Sequence, residues 1–287
     1  MTNRIFKSGL GLLGVLAMSG AAAAQDAEAR LVLNEETPMV TVADAPEHMA
    51  DTGIRTIYSG WAFRTGTTQE LQADDFINPA FLAVDEAIVA WDEVDGTAGE
   101  SCANCHGDVE ESMAGVRAVY PRWNEEAGEL RTLAAQINNC RTEQMGAEPY
   151  KYDGSEMTAM EALISVQSRG MPVNVAIDGP VADIWEQGRE MYYTRFGQLE
   201  LSCANCHEQN YGNYIRADHL SQGQINGFPT YRLKQNALIQ TQNRFRGCIR
   251  DTRAETYAVG SPEFDALELY VASRGNGLSV EGPAVRP

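Results

Sequence analysis

The sequence predicts a mainly α-helical protein built from two tandem copies of one domain, preceded by an irregular segment with short strands. The hexapeptide SCANCH occupies residues 101–106 and occurs again at residues 202–207. Each copy is followed by one more cysteine and by a segment that closes with Ser-Arg-Gly. The same landmarks in the same order indicate a duplicated structural unit. Apolar residues around them recur with helical spacing, which favours helices over sheet.

Composition limits the class of protein. A chain of 287 residues is long enough for two domains, at roughly 150 residues each. Hydrophobic residues make up 44% and charged residues 22%, which is typical of a globular protein and excludes a multispan membrane protein. The formal net charge of −18 excludes a nucleic-acid binder, which would need a basic face. Six cysteines are too few for a disulfide scaffold of this length.

Residues 1–26 have the pattern of a secretory signal. Arg4 and Lys7 precede an apolar run over residues 9–18, and four alanines follow at residues 21–24. A basic start, a short apolar stretch and small residues predict cleavage near residues 24–26. The run is too short to span a bilayer, which needs about 20 residues. We therefore expect a soluble, exported, periplasmic protein with no membrane span.

Three further segments follow the signal. Residues 27–75 form an N-terminal extension, whose β-branched stretch RLVLNEETPMVTV predicts short strands. No function can be assigned to this extension from its residues. The first domain is expected over residues 76–175 and the second, which contains the active site, over residues 176–287. Prolines and glycines near residues 172–180 mark the boundary between them.

Helices are expected before each hexapeptide and at the end of each copy, over residues 80–93, 155–170, 180–197 and 261–275. The last one has the clearest limits. Ser261 is a suitable N-cap and Gly275 a suitable stop. Phe264, Leu267 and Val271 follow the spacing i, i+3, i+7 and predict one apolar face.

The two Cys-x-x-Cys-His motifs predict covalently attached c-type haem. Two thiols one helical turn apart can each form a thioether to one porphyrin, and the adjacent histidine can bind the iron. A thioredoxin-like pair would leave the histidines unexplained, and a zinc site would have its two pairs closer together. We expect two haems, attached through Cys102, Cys105, Cys203 and Cys206 and ligated by His106 and His207.

The second axial ligand is not the usual methionine in the second copy, because no methionine follows His207. Cys248 and His219 are the remaining candidates there. In the first copy Cys140 occupies the position that corresponds to Cys248, although Met145 keeps a His/Met pair possible. A disulfide between the two cysteines is a further alternative.

Helical phase favours the cysteines as ligands. Leu238, Thr241, Phe245 and Cys248 recur at i, i+3, i+7 and i+10, which predicts one helix with the thiol facing inward. The series Leu130, Leu133, Ile137 and Cys140 repeats this pattern in the first copy. An anionic sulfur ligand would lower the reduction potential of its haem iron. A plain electron-shuttle role therefore becomes less favoured.

Local charge distinguishes the two cysteines. Residues 244–253, RFRGCIRDTR, carry a charge of +3, whereas residues 136–145 around Cys140 sum to zero. Guanidinium groups lower the pKa of a nearby thiol and attract anions. Arg244 lies four residues before Cys248, on the same face of a helix. We therefore expect an anion site at Cys248.

These residues, above all RFRGCIR around Cys248, resemble the dihaem SoxA family, whose members form the SoxAX cytochromes of bacterial sulfur oxidation. The resemblance covers essentially the whole mature chain. It implies that His106 and Cys140 ligate one haem and that His207 and Cys248 ligate the other. It also implies that Cys248 is catalytic and carries an extra sulfur as a persulfide, and that Arg244 helps to hold the substrate.

The resemblance further implies an enzyme of the L-cysteine S-thiosulfotransferase type. Such an enzyme joins thiosulfate oxidatively to a cysteine of the carrier protein SoxYZ and releases two electrons. The monohaem cytochrome subunit SoxX, bound as a heterodimer, would pass these electrons to a soluble cytochrome c. Two alternatives remain from the residues: an exported dihaem electron-transfer cytochrome without its own substrate, and a dihaem peroxidase.

Overall fold

The computed structural model describes residues 30–287, which form helices joined by small sheets. The predicted secretory signal over residues 1–26 lies outside the described residues. The α-helices are α1 (Gly66–Ala73), α2 (Phe81–Asp92), α3 (Cys102–His106), α4 (Val109–Ser112), α5 (Leu133–Asn139), α6 (Ser155–Val166), α7 (Ala182–Tyr193), α8 (Cys203–His207), α9 (Thr241–Asp251) and α10 (Pro262–Ser273). A π-helical segment, Cys140–Met145, continues α5, and 3₁₀ turns cover Glu47–Thr52, Gly60–Phe63, Arg117–Val119 and Gly179–Val181.

The strands are short and mostly form hairpins. They are β1 (Val32–Leu33), β2 (Thr37–Pro38), β3 (Val42–Asp44), β4 (Thr56–Tyr58), β5 (Arg122–Asn124), β6 (Glu129–Arg131), β7 (Tyr214–Ile215), β8 (Asp218–His219), β9 (Thr230–Arg232), β10 (Ala237–Ile239) and β11 (Ala284–Arg286). Five antiparallel pairs join β1 to β2, β3 to β4, β5 to β6, β7 to β8 and β9 to β10. The C-terminal β11 adds to β9 in parallel, with Ala284 opposite Thr230.

Two pairs of helices enclose the two largest hydrophobic cores. Helix α2 packs on α6 around Val84, Trp91 and Leu163, and α7 packs on α10 around Tyr192 and Tyr270. Complete burial of one such side chain stabilises the fold by about 1.5–3 kcal/mol. Helices at these four places were predicted. Two of them are shorter than expected. Helix α6 ends at Val166, before the predicted end at residue 170, and α7 ends at Tyr193, because the chain then turns to pair Phe196 with Leu201.

Helix α10 has the predicted limits but is buried on more than one face. The Ser261 side chain accepts a hydrogen bond from the Phe264 backbone N–H at 3.4 Å, and the helix ends at Ser273, two residues before Gly275. Phe264, the first residue of the predicted apolar face, is fully buried, and so is the polar Glu268. The reason is that α10 contacts both α7 and α9.

The predicted helices that carry the two isolated cysteines begin later than expected. Leu130 and Leu238 lie in strands β6 and β10, and the helices begin only after the N-caps Thr132 and Gln240. The backbone around each leucine is paired in a hairpin, so the helix begins only after the strand ends. The side chain of each N-cap then accepts a hydrogen bond from a backbone N–H of its helix. The two leucines are apolar because they pack across the chain. Leu130 lies against the core of α7 and α10, and Leu238 against that of α2 and α6.

The N-terminal extension contains the predicted short strands and is attached to the C-terminal half of the chain. The Tyr58 backbone N–H donates to Gln222 Oε1 at 2.9 Å. Gln72 Nε2 donates to Glu281 Oε2 at 3.1 Å. The extension, to which the sequence assigned no role, is thus attached to the segment that follows α8 and to the C-terminal segment.

Candidate functional site

Both Cys-x-x-Cys-His motifs form one short helix with the same cap. In α8 the Ser202 side chain accepts from the Asn205 N–H at 3.3 Å, while Asn205 Oδ1 accepts from the Ser202 N–H at 2.8 Å. Ser101 and Asn104 form the same reciprocal pair at the start of α3. Such a capping box satisfies donors that a helix start leaves free. The motif therefore contains its own helix-start signal, which places the two cysteines one turn apart.

The imidazole of His207 is held from one side. Its Nδ1 lies 2.8 Å from the carbonyl oxygen of Ser221, so Nδ1–H donates there and Nε2 remains available as a ligand. Burial lowers the pKa of His207 to about 4, which keeps the ring neutral. Gly223 approaches the ring so closely that a Cβ there would lie 2.8 Å from His207 Cγ. Together these contacts fix the orientation of the ring.

His106 has a more open setting. It is exposed, and its ring lies 5.8 Å from that of Trp91, centroid to centroid. Trp91 Nε1–H donates to the carbonyl of Gly107 at 2.9 Å and thereby anchors the end of α3. The two motifs are therefore identical in sequence but differ in exposure.

Cys248 lies on α9, close to the second motif. Arg244 precedes it by one helical turn, and the electrostatic interaction with Cys248 is the largest cause that raises the pKa of Arg244. Burial raises the pKa of Cys206, and the neighbouring Cys248 adds to the rise. The structure thus places Cys206, Arg244 and Cys248 near one another.

The other three arginines of the predicted basic cluster do not share this setting. Arg246 forms an ion pair with Asp153 at 3.0 Å. Arg250 and Arg253 are exposed, and Arg250 lies 3.5 Å from Asp251. The summed charge of this segment therefore overstated the local field, since neighbours along a helix point in different directions. Of the four, Arg244 is the one close to the thiol.

Sequence reasoning missed a second arginine near Cys248. Arg232, at the end of β9, is 8% exposed. Its pKa is lowered by burial and then by Arg244, and it is raised by Asp218 and Cys248. Arg232 lies sixteen residues before the cysteine, outside any local window. A strand pairing, rather than a sequence motif, brings it to the site.

The residue one helical turn before Cys140 is a neutral amide, whereas an arginine has that position before Cys248. Gln136 precedes it by one turn, and Gln136 Nε2 donates to Cys140 Sγ at 3.4 Å. The neighbouring Arg141 is committed elsewhere: its Nη2 lies 2.6 Å from Asp95 Oδ2, and its guanidinium stacks on the ring of Tyr150 at 3.6 Å. Arg131 donates to Gln136 Oε1 at 3.1 Å and to Asn139 Oδ1 at 2.7 Å, so a guanidinium also lies near Cys140, one side chain away from the thiol.

The alternative ligands are placed as follows. His219 has both ring nitrogens near backbone carbonyls, Nδ1 at 3.1 Å from Phe63 and Nε2 at 3.0 Å from Gly212. Neither nitrogen of His219 is available to bind a metal in this arrangement. Met145 is buried at the end of the π-helical segment. Cys140 and Cys248 form no disulfide, so they are not joined to each other.

The residues around α8 fit a covalently bound haem. The two thiols and the unused Nε2 of His207 supply two attachment points and one iron ligand. Arg274, which is fully buried, donates from Nη1 to Glu208 at 2.6 Å, yet its Nε and Nη2 have no hydrogen-bond partner among residues 30–287. Buried donors of this kind require an acceptor, and the carboxylates of a haem provide one. The orphaned guanidinium atoms of Arg274 are therefore consistent with this group.

Comparison with known proteins gives one consistent result. A family model described as SoxA/TsdA, cytochrome c domain, matches residues 86–173 and 187–280. The L-cysteine S-thiosulfotransferase subunit SoxA of Rhodovulum sulfidophilum is 59% identical over 286 residues, which are 100% of this chain and 99% of that one. The subunit of the same name from Paracoccus pantotrophus is 57% identical, covering 94% of both chains.

A solved structure agrees with these relatives. A chain of the crystal structure of SoxXA from P. pantotrophus superposes with a TM-score of 0.88 at 57% identity, and the match covers 91% of this chain and 99% of that chain. Within residues 30–287, no helix is long and apolar enough to cross a membrane. The resemblance found in the sequence is confirmed: the chain belongs to the SoxA family, has the cytochrome c domain fold and carries covalently bound c-type haem.

Proposed function

We propose that this chain is the catalytic dihaem subunit that conjugates thiosulfate to a cysteine of the carrier protein SoxYZ, and that the reaction takes place at Cys248. The observation that carries the proposal is the placement of Cys248 and Arg244 one turn apart on α9, close to Cys206 of the second motif. The name shared by the relatives, L-cysteine S-thiosulfotransferase subunit SoxA, supports the same reaction.

The fold that serves this reaction consists of two tandem cytochrome-c-like domains related by duplication. We assign residues 76–175 to the first domain and residues 176–287 to the second, with residues 27–75 as the extension. The order of elements supports this division. In each half a long helix precedes the motif helix, and a hairpin, a cysteine-bearing helix and a terminal helix follow it.

Each domain holds one haem. The residues that hold the first are Cys102, Cys105, His106 and Cys140, and those that hold the second are Cys203, Cys206, His207 and Cys248. His207 on α8 and Cys248 on α9 would both ligate the iron of the second haem when it is bound. Bound haem supplies one-electron redox chemistry at an iron whose potential is lowered by the sulfur ligand.

The chain's own residues bind and orient the substrate. The Arg244 guanidinium can donate two parallel hydrogen bonds to the sulfonate oxygens of thiosulfate. Cys248, carrying the extra sulfur that the family resemblance implies, places sulfur beside the bound anion. Overall, the carrier thiol loses its proton, and an S–S bond forms between the carrier sulfur and the terminal sulfur of thiosulfate. One proton and two electrons are released in this reaction.

The electrons leave through a partner. We propose that SoxX, a monohaem cytochrome, forms a heterodimer with this chain and passes them to a soluble cytochrome c. The similar crystal structure, that of SoxXA from P. pantotrophus, supports that heterodimer. The signal-like residues 1–26 favour export of the chain to the periplasm.

Replacement of Cys248 tests this function. In the complex with SoxX, Cys248→Ala is expected to abolish thiosulfonation of the carrier, while haem stays attached through Cys203 and Cys206. Mass spectrometry of the carrier after incubation with thiosulfate measures the product. Arg250→Ala, at an exposed residue of the same helix, is the matched control, and we expect it to retain the reaction. A thiosulfonated carrier with Cys248→Ala would show that the reaction does not take place at Cys248.

A further inference from the structure

Three arginines from distant parts of the chain meet beside the C-terminal strand. Strands β9 and β11 are parallel neighbours, and their register sets Arg232 opposite Arg286. Neighbouring strands lie about 4.8 Å apart, so these two side chains start side by side on one face of the sheet. Arg64 joins them at Gly60: its Nε donates to the Gly60 carbonyl at 3.3 Å, and a Cβ on Gly60 would lie 2.9 Å from Arg286 Nη2. Together the three side chains form an arginine cluster.

The arginine cluster has no anionic partner among residues 30–287. Arg232 is 8% exposed, its side chain forms no ion pair there, and its Nε is a buried donor with no acceptor. Arg64 and Arg286 are half-buried and donate only to neutral oxygens, including the His219 carbonyl and Gln72 Oε1. Burial, and then Arg64, lower the pKa of Arg286 to about 9. Buried guanidinium groups are costly unless an anion satisfies them, so the cluster indicates a missing anion.

Two acids lie near the arginine cluster, and they do not cancel its charge. Asp218 forms an ion pair with Lys234 at 3.4 Å. Glu281 is fully buried and accepts from Gln72 at 3.1 Å, and burial raises its pKa, which favours the neutral form. Even with both acids ionised, the three arginines and Lys234 oppose two carboxylates, which leaves two positive charges. The missing anion therefore carries up to two negative charges.

The arginine cluster lies against the segment that orients His207. Arg64 Nη2 donates to the carbonyl of His219 at 2.5 Å. Two residues later, the carbonyl of Ser221 accepts from the ring of His207. The cluster and the expected iron ligand thus contact one short segment, residues 219–223. A haem attached at α8 is the source of anions nearest in the chain, since each haem carries two carboxylates.

We propose that Arg64, Arg232 and Arg286 hold the carboxylates of the second haem. The inference rests on the proposed attachment of that haem at α8 and not on the thiosulfate reaction. Guanidinium groups donate paired hydrogen bonds to carboxylates. Arg274 can add hydrogen bonds, but Glu208 already neutralises its charge, so the cluster supplies the positive charge. Through Arg64, the N-terminal extension takes part in holding the haem.

Thermal unfolding of Arg232→Gln, in the haem-loaded complex with SoxX, tests for the anion. The Arg232 side chain forms no hydrogen bond with residues 30–287, so the substitution removes only its charge and its contact with the anion. If carboxylates fill the cluster, the melting temperature falls. If they do not, it rises, because one of three mutually repelling charges has been removed. Arg250→Gln, at an exposed residue of α9, is the matched control and should leave the melting temperature unchanged.

Two spectroscopic measurements identify the anion as the haem carboxylates. Positive charge near a haem favours the reduced iron, so Arg232→Gln should lower the ratio of reduced to oxidised second haem about tenfold at a fixed potential. This corresponds to a downward shift of about 59 mV for one electron. The carboxylate bending bands of one haem should shift in the resonance Raman spectrum. Arg232→Lys keeps the charge and should restore the potential.

Two results would overturn the inference. An unchanged or higher melting temperature of Arg232→Gln would show that the arginine cluster faces no anion. A fall that occurs only with added sulfate, with unchanged carboxylate bands, would assign the cluster to a free anion. If Arg232→Gln does not fold, Arg64→Gln serves for the same measurements. Failure of the proposed function is seen separately, as an active Cys248→Ala complex, and failure of haem attachment as a lower mass of the chain.

Discussion

Gly223 is expected to set the orientation of the His207 ring, and its replacement by alanine tests this role. A Cβ at residue 223 would lie 2.8 Å from His207 Cγ, whereas ordinary contact begins at 3.4 Å, so the ring or the backbone must move by about 0.6 Å. Such a shift strains the 2.8 Å hydrogen bond from Nδ1 to Ser221. The iron ligand would therefore be tilted, which changes the ligand field.

Gly53 provides a matched control for this substitution. Both glycines have a φ of +78°, but a Cβ at residue 53 would have no heavy atom within 4 Å. An alanine in the left-handed region costs roughly 1–2 kcal/mol at either residue, so both variants should lose thermal stability, and Gly223→Ala should lose more because of its contact with the ring. Only Gly223→Ala should also alter the electron paramagnetic resonance g values of one haem. Identical spectra for the two variants would refute the steric argument.

Two further predictions concern buried charges. Burial, and then the neighbouring Glu268, raise the pKa of Glu161 from 4.5 to about 8. Folding therefore favours the protonated form, and stability is lost as the pH rises through that range. Glu161→Gln should raise the melting temperature at about pH 9 but not at about pH 5, and an equal effect at both would contradict this reasoning. Arg274→Met leaves the buried carboxylate of Glu208, 2.6 Å away in the wild type, without its cation. Denaturant unfolding should show a loss of about 3–5 kcal/mol, partly recovered when Glu208→Gln is added, and no recovery would exclude the ion pair as the cause.

Features encoded within a few residues could be predicted well. The haem-attachment motifs, the N-cap Ser261 and the helices around each core depend on contacts between near neighbours in the chain, so their pattern is visible in the sequence. The helical phase of Leu130 and Leu238 was misleading for a physical reason. These leucines are apolar because each packs, from a strand, against the core formed mainly by the other half of the chain.

The basic cluster shows the same limit within the site. Counting charges over residues 244–253 could not distinguish Arg244, close to Cys248, from Arg246, which Asp153 neutralises from the loop before α6. Nor could it include Arg232, which a hairpin brings to the site. Charge acts through space, and distance along the chain is a poor measure of it beyond one helical turn.

By itself, the sequence determined the haem chemistry and the family, because both rest on contiguous motifs, SCANCH and RFRGCIR. Only the tertiary structure decided the surroundings of each motif. It holds His207 between Ser221 and Gly223 but leaves His106 exposed. The motifs are identical and the difference comes from segments remote in sequence, since burial and orientation depend on what packs against a residue.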